Sequence, residues 1–299
     1  ALGLGALLLP GTSAGLAQLM AARGFTHGVA SGEPGPDSVL LWTRFVPPGG
    51  GEARVTAEIA ETEDFRRPVA GAVVVTGGWR DWTAKAVLAG LEPGRTYFYR
   101  FSADGQVSPT GRTRTLPDGR VDAFRLGVFS CANLPFGWFN AYAHAAARDD
   151  LHLGLHLGDY LYEYGRGSYP SVRESVAGRM LEPAGEVMAL ADYRLRHACY
   201  RADPDLQRLH GRIAMIASTD DHESANDSWE GGAQNHQPGE GDWSARKAAA
   251  LQAWREWMPV SEQPWRAYEI GDLATLFRTE TRLLARSRPP ALEELLRGA

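Results

Sequence analysis

Leu151-His152-Leu153-Gly154-Leu155-His156-Leu157-Gly158-Asp159-Tyr160-Leu161-Tyr162-Glu163-Tyr164 decides how this chain is read. Leucines at alternate positions from 151 to 157 give a strand one apolar face. His152 and His156, sharing a face, read as satisfied core groups rather than ligands. Gly158 then lets the backbone turn sharply and leaves the Asp159 carboxylate at the rim. Two other stretches end in the same way. Phe124 to Ser130 reads as a strand and runs into Cys131-Ala132-Asn133. Ile213 to Ala217 reads as a third and runs through Ser218-Thr219 into Asp220-Asp221-His222-Glu223. Helical patterns alternate with these strands: Asn140 to Asp149, most of Met180 to Leu209, and Ala245 to Met258. That alternation predicts an α/β layered domain, whose ligands bind outside the carboxyl ends of the strands.

Chemistry-bearing residues stand at all of those ends. A thiolate, carboxylates, a phenolate and an imidazole form the ligand set of a divalent or trivalent metal centre. Singly, each has a plainer reading. A lone Cys is a small buried hydrophobe, a Gly-Asp is a turn, and a lone Tyr is core. Asp-Asp-His is rarer, because adjacent carboxylates repel unless a cation or donors hold them. The combination and its order carry the weight.

Upstream, from Phe25 to about Pro117, the grammar is all β. Val39 to Arg44, Val55 to Glu61, Val69 to Thr76 and Trp82 to Leu88 are strand-sized pieces between Gly- and Pro-rich turns. Leu91-Glu92-Pro93-Gly94 feeds the Tyr-rich run Thr96 to Phe101, the pattern of a tyrosine corner in fibronectin-like sandwiches. Nothing in this region groups catalytic side chains, so it reads as a structural or interaction module. The joint Asp118 to Asp122 separates it from the α/β region. The expected organisation is therefore 1–23 an export-signal remnant, 24–118 a β-sandwich, and 122–299 an α/β catalytic domain. The first of these rests on the apolar run Ala1 to Leu9 and the small-x-small pattern Gly15-Leu16-Ala17.

Composition narrows the function. The 299 residues are 44% hydrophobic and 22% charged, which places the chain among globular proteins rather than disordered ones. A net charge of −5 excludes a non-specific nucleic-acid surface, which needs a basic face. No stretch is long and apolar enough for an integral membrane segment. Two cysteines cannot build a disulfide scaffold, though a single Cys131–Cys199 bridge stays open. Eight histidines mean that a metal site must draw on other ligands too.

At these residues the chain resembles the PhoD-type alkaline phosphatases and phosphodiesterases, within the metallophosphoesterases. The resemblance runs from about Phe25 to Pro259. It is carried by FTHGVASGEPGPDSVLLWTR, FSCAN, GDYLYEYG, ADYRLRHACYRADPDLQRLH, DDHESANDSW and DWSARKAAALQAWREWMP. It implies a fibronectin-like sandwich followed by a metallophosphoesterase domain with αββα layers. It also implies a monomer exported to the periplasm or secreted by the twin-arginine route, with phosphate esters as substrates and iron (Fe3+) and calcium as cofactors. Cys131 is then the iron thiolate ligand, Tyr162 the iron phenolate ligand, Asp159 the carboxylate bridging the metals, and Asp221 a ligand to the second metal. His222 contacts phosphate or assists the leaving group, and a metal-activated hydroxide attacks in line. Tyr and Cys ligands, anionic when bound, favour a trivalent ion.

The sequence departs from that pattern twice. Ser218-Thr219 stands where the family has a large apolar or aromatic residue, which is expected to loosen the packing behind His222. The family's later Gly-Asp-x-His motif has no counterpart, since the last histidine is His236. The catalytic domain is therefore expected to be incomplete at the C-terminus, and the chain alone to bind metal weakly, to show little or no phosphatase activity and to aggregate. The other reading is a catalytically incomplete or degenerate member serving as a binding or structural protein.

Overall fold

The computed structural model describes residues 21–290. The expected export signal, apart from its last three residues, lies outside the described residues, as does the end of the expected catalytic domain.

The N-terminal half is built from β1 (Gly24–Gly32), β2 (Ser38–Val46), β3 (Ala53–Ala60), β4 (Pro68–Thr76), β5 (Thr83–Ala89), β6 (Thr96–Ala103), β7 (Gln106–Val107) and β8 (Gly111–Arg114). One sheet runs β4-β3-β6, with β7 and β8 both on β6; the other runs β5-β2-β1. Alternation along each strand turns Leu41, Phe45, Val55, Ile59, Tyr99 and Phe101 into the space between them. The tyrosine corner is present: the Tyr97 hydroxyl accepts the Glu92 N–H at 2.9 Å.

In the second half, β9 (Leu126–Phe129), β10 (Leu153–His156) and β11 (Met215–Ala217) pair in parallel. The helices are α1 (Asn140–Ala146), α2 (Leu190–Arg201), α3 (Pro204–Arg212) and α4 (Trp243–Trp257). Tyr142, Leu206, Leu209 and Trp254 from α1, α3 and α4 cover Met215 and Ala217 on one face of this sheet. A hairpin, β12 (Arg266–Ile270) and β13 (Ala274–Arg278), covers the other through Tyr268 and Leu276. Helices, sheet and hairpin make up the α/β/β part of the expected layering. Leu153 and Leu155 point to the hairpin as their alternation predicts, but the other two leucines do not: Leu151, ahead of the strand, packs against the helical core instead, and Leu157 is 52% exposed where the strand has already ended.

Two expectations change. The helical stretch from Met180 to Leu209 starts only at Leu190, because Pro183 and Gly185 hold the preceding residues in turns. It is also interrupted: Asp203 accepts the N–H groups of Asp205 (2.9 Å) and Leu206 (3.0 Å) and, with Pro204 at the first turn, starts a separate helix.

The two halves share a sheet. β1 pairs in parallel with β11 through Gly32 and Met215, giving the order β5-β2-β1-β11-β10-β9. A Cβ on Gly32 would stand 2.1 Å from the Pro259 carbonyl oxygen, so only glycine permits this approach. Next to it, buried Glu33 reaches into the second half. It pairs with Arg278 and with Arg266 (3.1 Å), and accepts the Ser261 N–H at 2.9 Å.

Candidate metal centre

Each site residue sits just past a parallel strand. After β9, Cys131 adopts a left-handed φ of 57°; after β10, Gly158 (120°) and Asp159 (54°) do likewise. Cys131 N–H donates to Gly158 O at 3.2 Å and Ala132 N–H to Asp159 O at 2.8 Å, so the first two loops are sewn together. A Cβ on Gly158 would lie 2.5 Å from the Asp220 nitrogen, which shows how closely the third loop approaches.

The five residues singled out in the sequence come together. Ligand atoms of Asp159, Asp221 and His222 all lie within 4.8 Å of one another. Cys131 Sγ is 3.5 Å and the Tyr162 hydroxyl 3.3 Å from Asp159 Oδ2, while Asp159 Oδ1 is buried without a partner. The cysteines do not form the alternative bridge. Both are free: Cys131 is exposed at the site, and Cys199 is buried, donating to Met180 O at 3.2 Å. His152 and His156 stay out of the site, and His156 is bonded to the Tyr142 hydroxyl at 3.1 Å in the core.

The electrostatics are those of a site built for positive charge. Burial raises the Asp159 pKa and the charges of Asp221 and Asp220 add to this, while the His222 charge and the Cys131 hydrogen bond oppose it without prevailing. Burial, ahead of the Asp159 charge and Cys131, also drives the Tyr162 phenol upward. These are groups whose anionic forms need a cation beside them. An orphaned carboxylate oxygen facing an imidazole, a second carboxylate, a thiol and a phenol therefore fits a metal centre.

Four positioning groups went unnoticed in the sequence. Glu163, fully buried, accepts His222 Nδ1–H at 2.7 Å, the Asn226 N–H at 2.7 Å and Asn235 Nδ2–H at 2.8 Å, leaving His222 Nε2 toward the site. Burial alone would lower the His222 pKa; the Glu163 bond and charge outweigh it and lift His222 to about 8. Glu223 accepts the N–H groups of Tyr160 and Asp220, both at 2.7 Å, and so clamps the second loop to the third. Arg196 donates to the carbonyls of Tyr162, Tyr164 (3.0 Å), Glu182 (3.0 Å), Pro183 (3.1 Å) and Gly185 (3.2 Å). Arg282, from the segment after β13, pairs with Asp220 at 2.5 Å and approaches Asp221 at 3.6 Å. The one available signal was in α2, where Arg196 lies on a face otherwise marked for burial. The looseness expected behind His222 is absent: its ring lies 4.2 Å from that of Tyr162 and 5.6 Å from that of Tyr164. Ser218 Oγ donates to Thr279 O at 3.1 Å, using its polarity to tether the segment that carries Arg282.

The family model of the PhoD-like phosphatases matches residues 126–295, and that of the PhoD-like phosphatase N-terminal domain matches residues 11–117. The chain belongs to the PhoD-like phosphatase family. It is 36% identical over 280 residues to alkaline phosphatase D of Bacillus subtilis (strain 168), covering 86% of this chain and 46% of the relative. A solved PhoD structure superposes with a TM-score of 0.80 at 34% identity, over 88% of this chain and 53% of that one. A purple acid phosphatase from yellow lupin (Lupinus luteus) seeds shares the fold, with a TM-score of 0.51 at 14% identity, over 83% of this chain and 43% of that one. This PhoD-like chain thus spans about half the length of the relatives it matches.

Proposed function

We propose that this chain carries the metal-binding centre of an exported phosphoric ester hydrolase, an alkaline phosphatase or phosphodiesterase of PhoD type. One observation carries the reading. In a PhoD-like chain, Asp159, Asp221 and His222 bring ligand atoms within 4.8 Å of one another, and Cys131 and Tyr162 converge on Asp159.

Cys131 and Tyr162 would hold iron, Asp159 would bridge, and Asp221 would hold a second ion, calcium. When bound, the metals supply positive charge that activates the attacking water and offsets charge on the phosphoryl oxygens. The protein's own share lies in His222. With Nδ1 committed to Glu163 at 2.7 Å, its Nε2 faces the reacting phosphate and donates to the leaving oxygen. Tyr162 and Tyr164, on either side of the imidazole, fix its plane. Export to the periplasm or beyond, supported by the leader-like Ala1 to Ala17, and the division into sandwich and catalytic domain belong to the same reading.

Release of p-nitrophenol from bis(p-nitrophenyl) phosphate and p-nitrophenyl phosphate, by the chain dialysed against iron and calcium, tests the proposal. The turnover of a chain that spans about half its relatives' length is expected to be low, and Asp221→Asn to cut it by at least ~100-fold. Turnover that survives Asp221→Asn, or a wild-type chain that takes up neither metal, would contradict it.

A further inference from the structure

The cleft that opens at Cys131 has walls that metal binding does not explain. It has a volume of about 560 Å3, and Cys131, Asn133, Phe136, Trp138 and Phe139 are among the side chains that line it. Among the described residues, no aspartate, glutamate, lysine or arginine faces it. Phe136 and Trp138 stand 44% and 46% exposed, which leaves two large rings uncovered beside a candidate metal ligand. Phe136 also meets Tyr169, with ring centroids 5.3 Å apart. Tyr169 in turn lies 6.0 Å from Tyr162 and 5.6 Å from Tyr164, the two rings that flank the His222 imidazole. A chain of aromatic rings therefore starts at His222 and ends in the cleft that Cys131 lines, so both of its ends belong to the metal centre.

These walls are braced. The Arg179 guanidinium lies 4.8 Å from the Trp138 ring and 4.8 Å from the Phe139 ring. Arg179 is itself buried, paired with Asp203 at 2.5 Å, and donates to Leu134 O at 3.2 Å and Gly137 O at 2.9 Å, the carbonyls on either side of Phe136. Val176 N–H donates to Pro135 O at 2.8 Å and fastens the segment after Tyr169 to the same turn. Asp203 meets the Arg179 charge, so this arginine holds the wall and leaves the cleft uncharged. Rings fixed in this way lose little freedom when a flat apolar group lies against them.

We propose that the cleft binds the organic substituent of the phosphoric ester and favours flat, uncharged, aryl-type groups. The phosphoryl group lies at the metal centre, and the aryl group lies against Phe136 and Trp138, with Tyr169 behind Phe136. The inference rests on the reading of this centre as that of a phosphoric ester hydrolase and adds the class of ester it selects. Phe136 and Trp138 are then the residues that determine specificity. A methyl or a charged substituent gains nothing from them.

Two phosphonates that cannot be hydrolysed, 1-naphthylmethylphosphonate and methylphosphonate, test this by titration calorimetry on the chain loaded with iron and calcium. The naphthyl compound is expected to bind at least ~10-fold more tightly. Trp138→Ala and Phe136→Ala, each removing a half-exposed ring, are expected to narrow that ratio to about 3-fold or less. The wild-type ratio decides the matter even where a variant fails to fold. Equal affinities, or a ratio that both variants keep, overturn the proposal and leave the reading of the metal centre standing. Binding of neither phosphonate overturns that reading, and this inference with it.

Discussion

Cys131 and Asp159 at the candidate centre, and Asp227, whose N–H donates to Asp221 Oδ2 at 2.5 Å, hold left-handed backbone angles that favour glycine. Each costs on the order of 1–2 kcal/mol, and the carboxylates there repel one another besides. Stability is forgone at this spot, as expected where side chains are aimed at a ligand. The thiol gives this a readout. Cys131→Ala is expected to abolish the visible charge-transfer band of the iron-loaded chain, and Cys199→Ala, whose thiol lies in α2 away from the site, to leave it intact; equal effects would remove Cys131 as a ligand. Lys85 shows a different residue-scale cost. Its ammonium is buried between the carbonyls of Arg255 (2.6 Å) and Val260 (2.7 Å), and burial lowers its pKa from 10.5 to about 8. Below pH 8 folded and unfolded chains both carry the proton and the penalty is whole. Between pH 8 and 10.5 the folded chain has shed a proton that the unfolded chain keeps, so stability rises with pH. Relative to Lys85→Met, the unfolding free energy should climb across that window by up to about 3 kcal/mol. Denaturant titration at several pH values measures it, and a flat difference would refute it. Cys131, Asp159, Tyr162, Asp221 and His222 were readable because each follows a recognisable strand. Glu163 and Glu223 were not, because nothing in a sequence shows that a carboxylate's partners are backbone N–H groups on another loop.

At the scale of elements, the site depends on how closely three strand-end loops approach. Glu223 joins the second loop to the third, and Gly158 lets them touch. Gly158→Ala adds a Cβ 2.5 Å from the Asp220 nitrogen at a φ of 120°, so neighbouring backbone must move. Metal affinity is expected to fall at least ~10-fold with the far-UV circular dichroism retained. Unchanged affinity by equilibrium dialysis would show that the loops do not need this contact. The strands with clean alternation and turn signals, β2 to β6, were legible. So was α4, with its Asp242 cap. The hairpin β12–β13 was missed although Gly271-Asp272 marks its turn, because its outer face is exposed and blurs the apolar pattern. The joint Asp118 to Asp122 read only as a separator between two regions. In the structure it is pinned to that turn, with Asp272 N–H on Gly119 O at 2.8 Å and Gly271 N–H on Pro117 O at 3.2 Å.

Across the whole molecule, the boundary that composition suggests is real in grammar but not in the sheet. β1 leaves the sandwich to pair with β11, and Glu33 carries a buried carboxylate to Arg266 and Arg278 of the hairpin. A single sequence could not show this, since a glycine and a glutamate in a β-rich segment carry no sign of partners 183, 233 and 245 residues later. The sandwich thereby supports the sheet whose strand ends carry the site. The account stands or falls on whether those ends hold metal together. Equilibrium dialysis against iron and calcium, followed by mass-spectrometric metal analysis of the wild-type chain and Asp159→Asn, measures this directly. The account predicts iron uptake by the wild-type chain that falls at least ~10-fold in the variant, with thermal stability no lower. Equal uptake by the two proteins would contradict it.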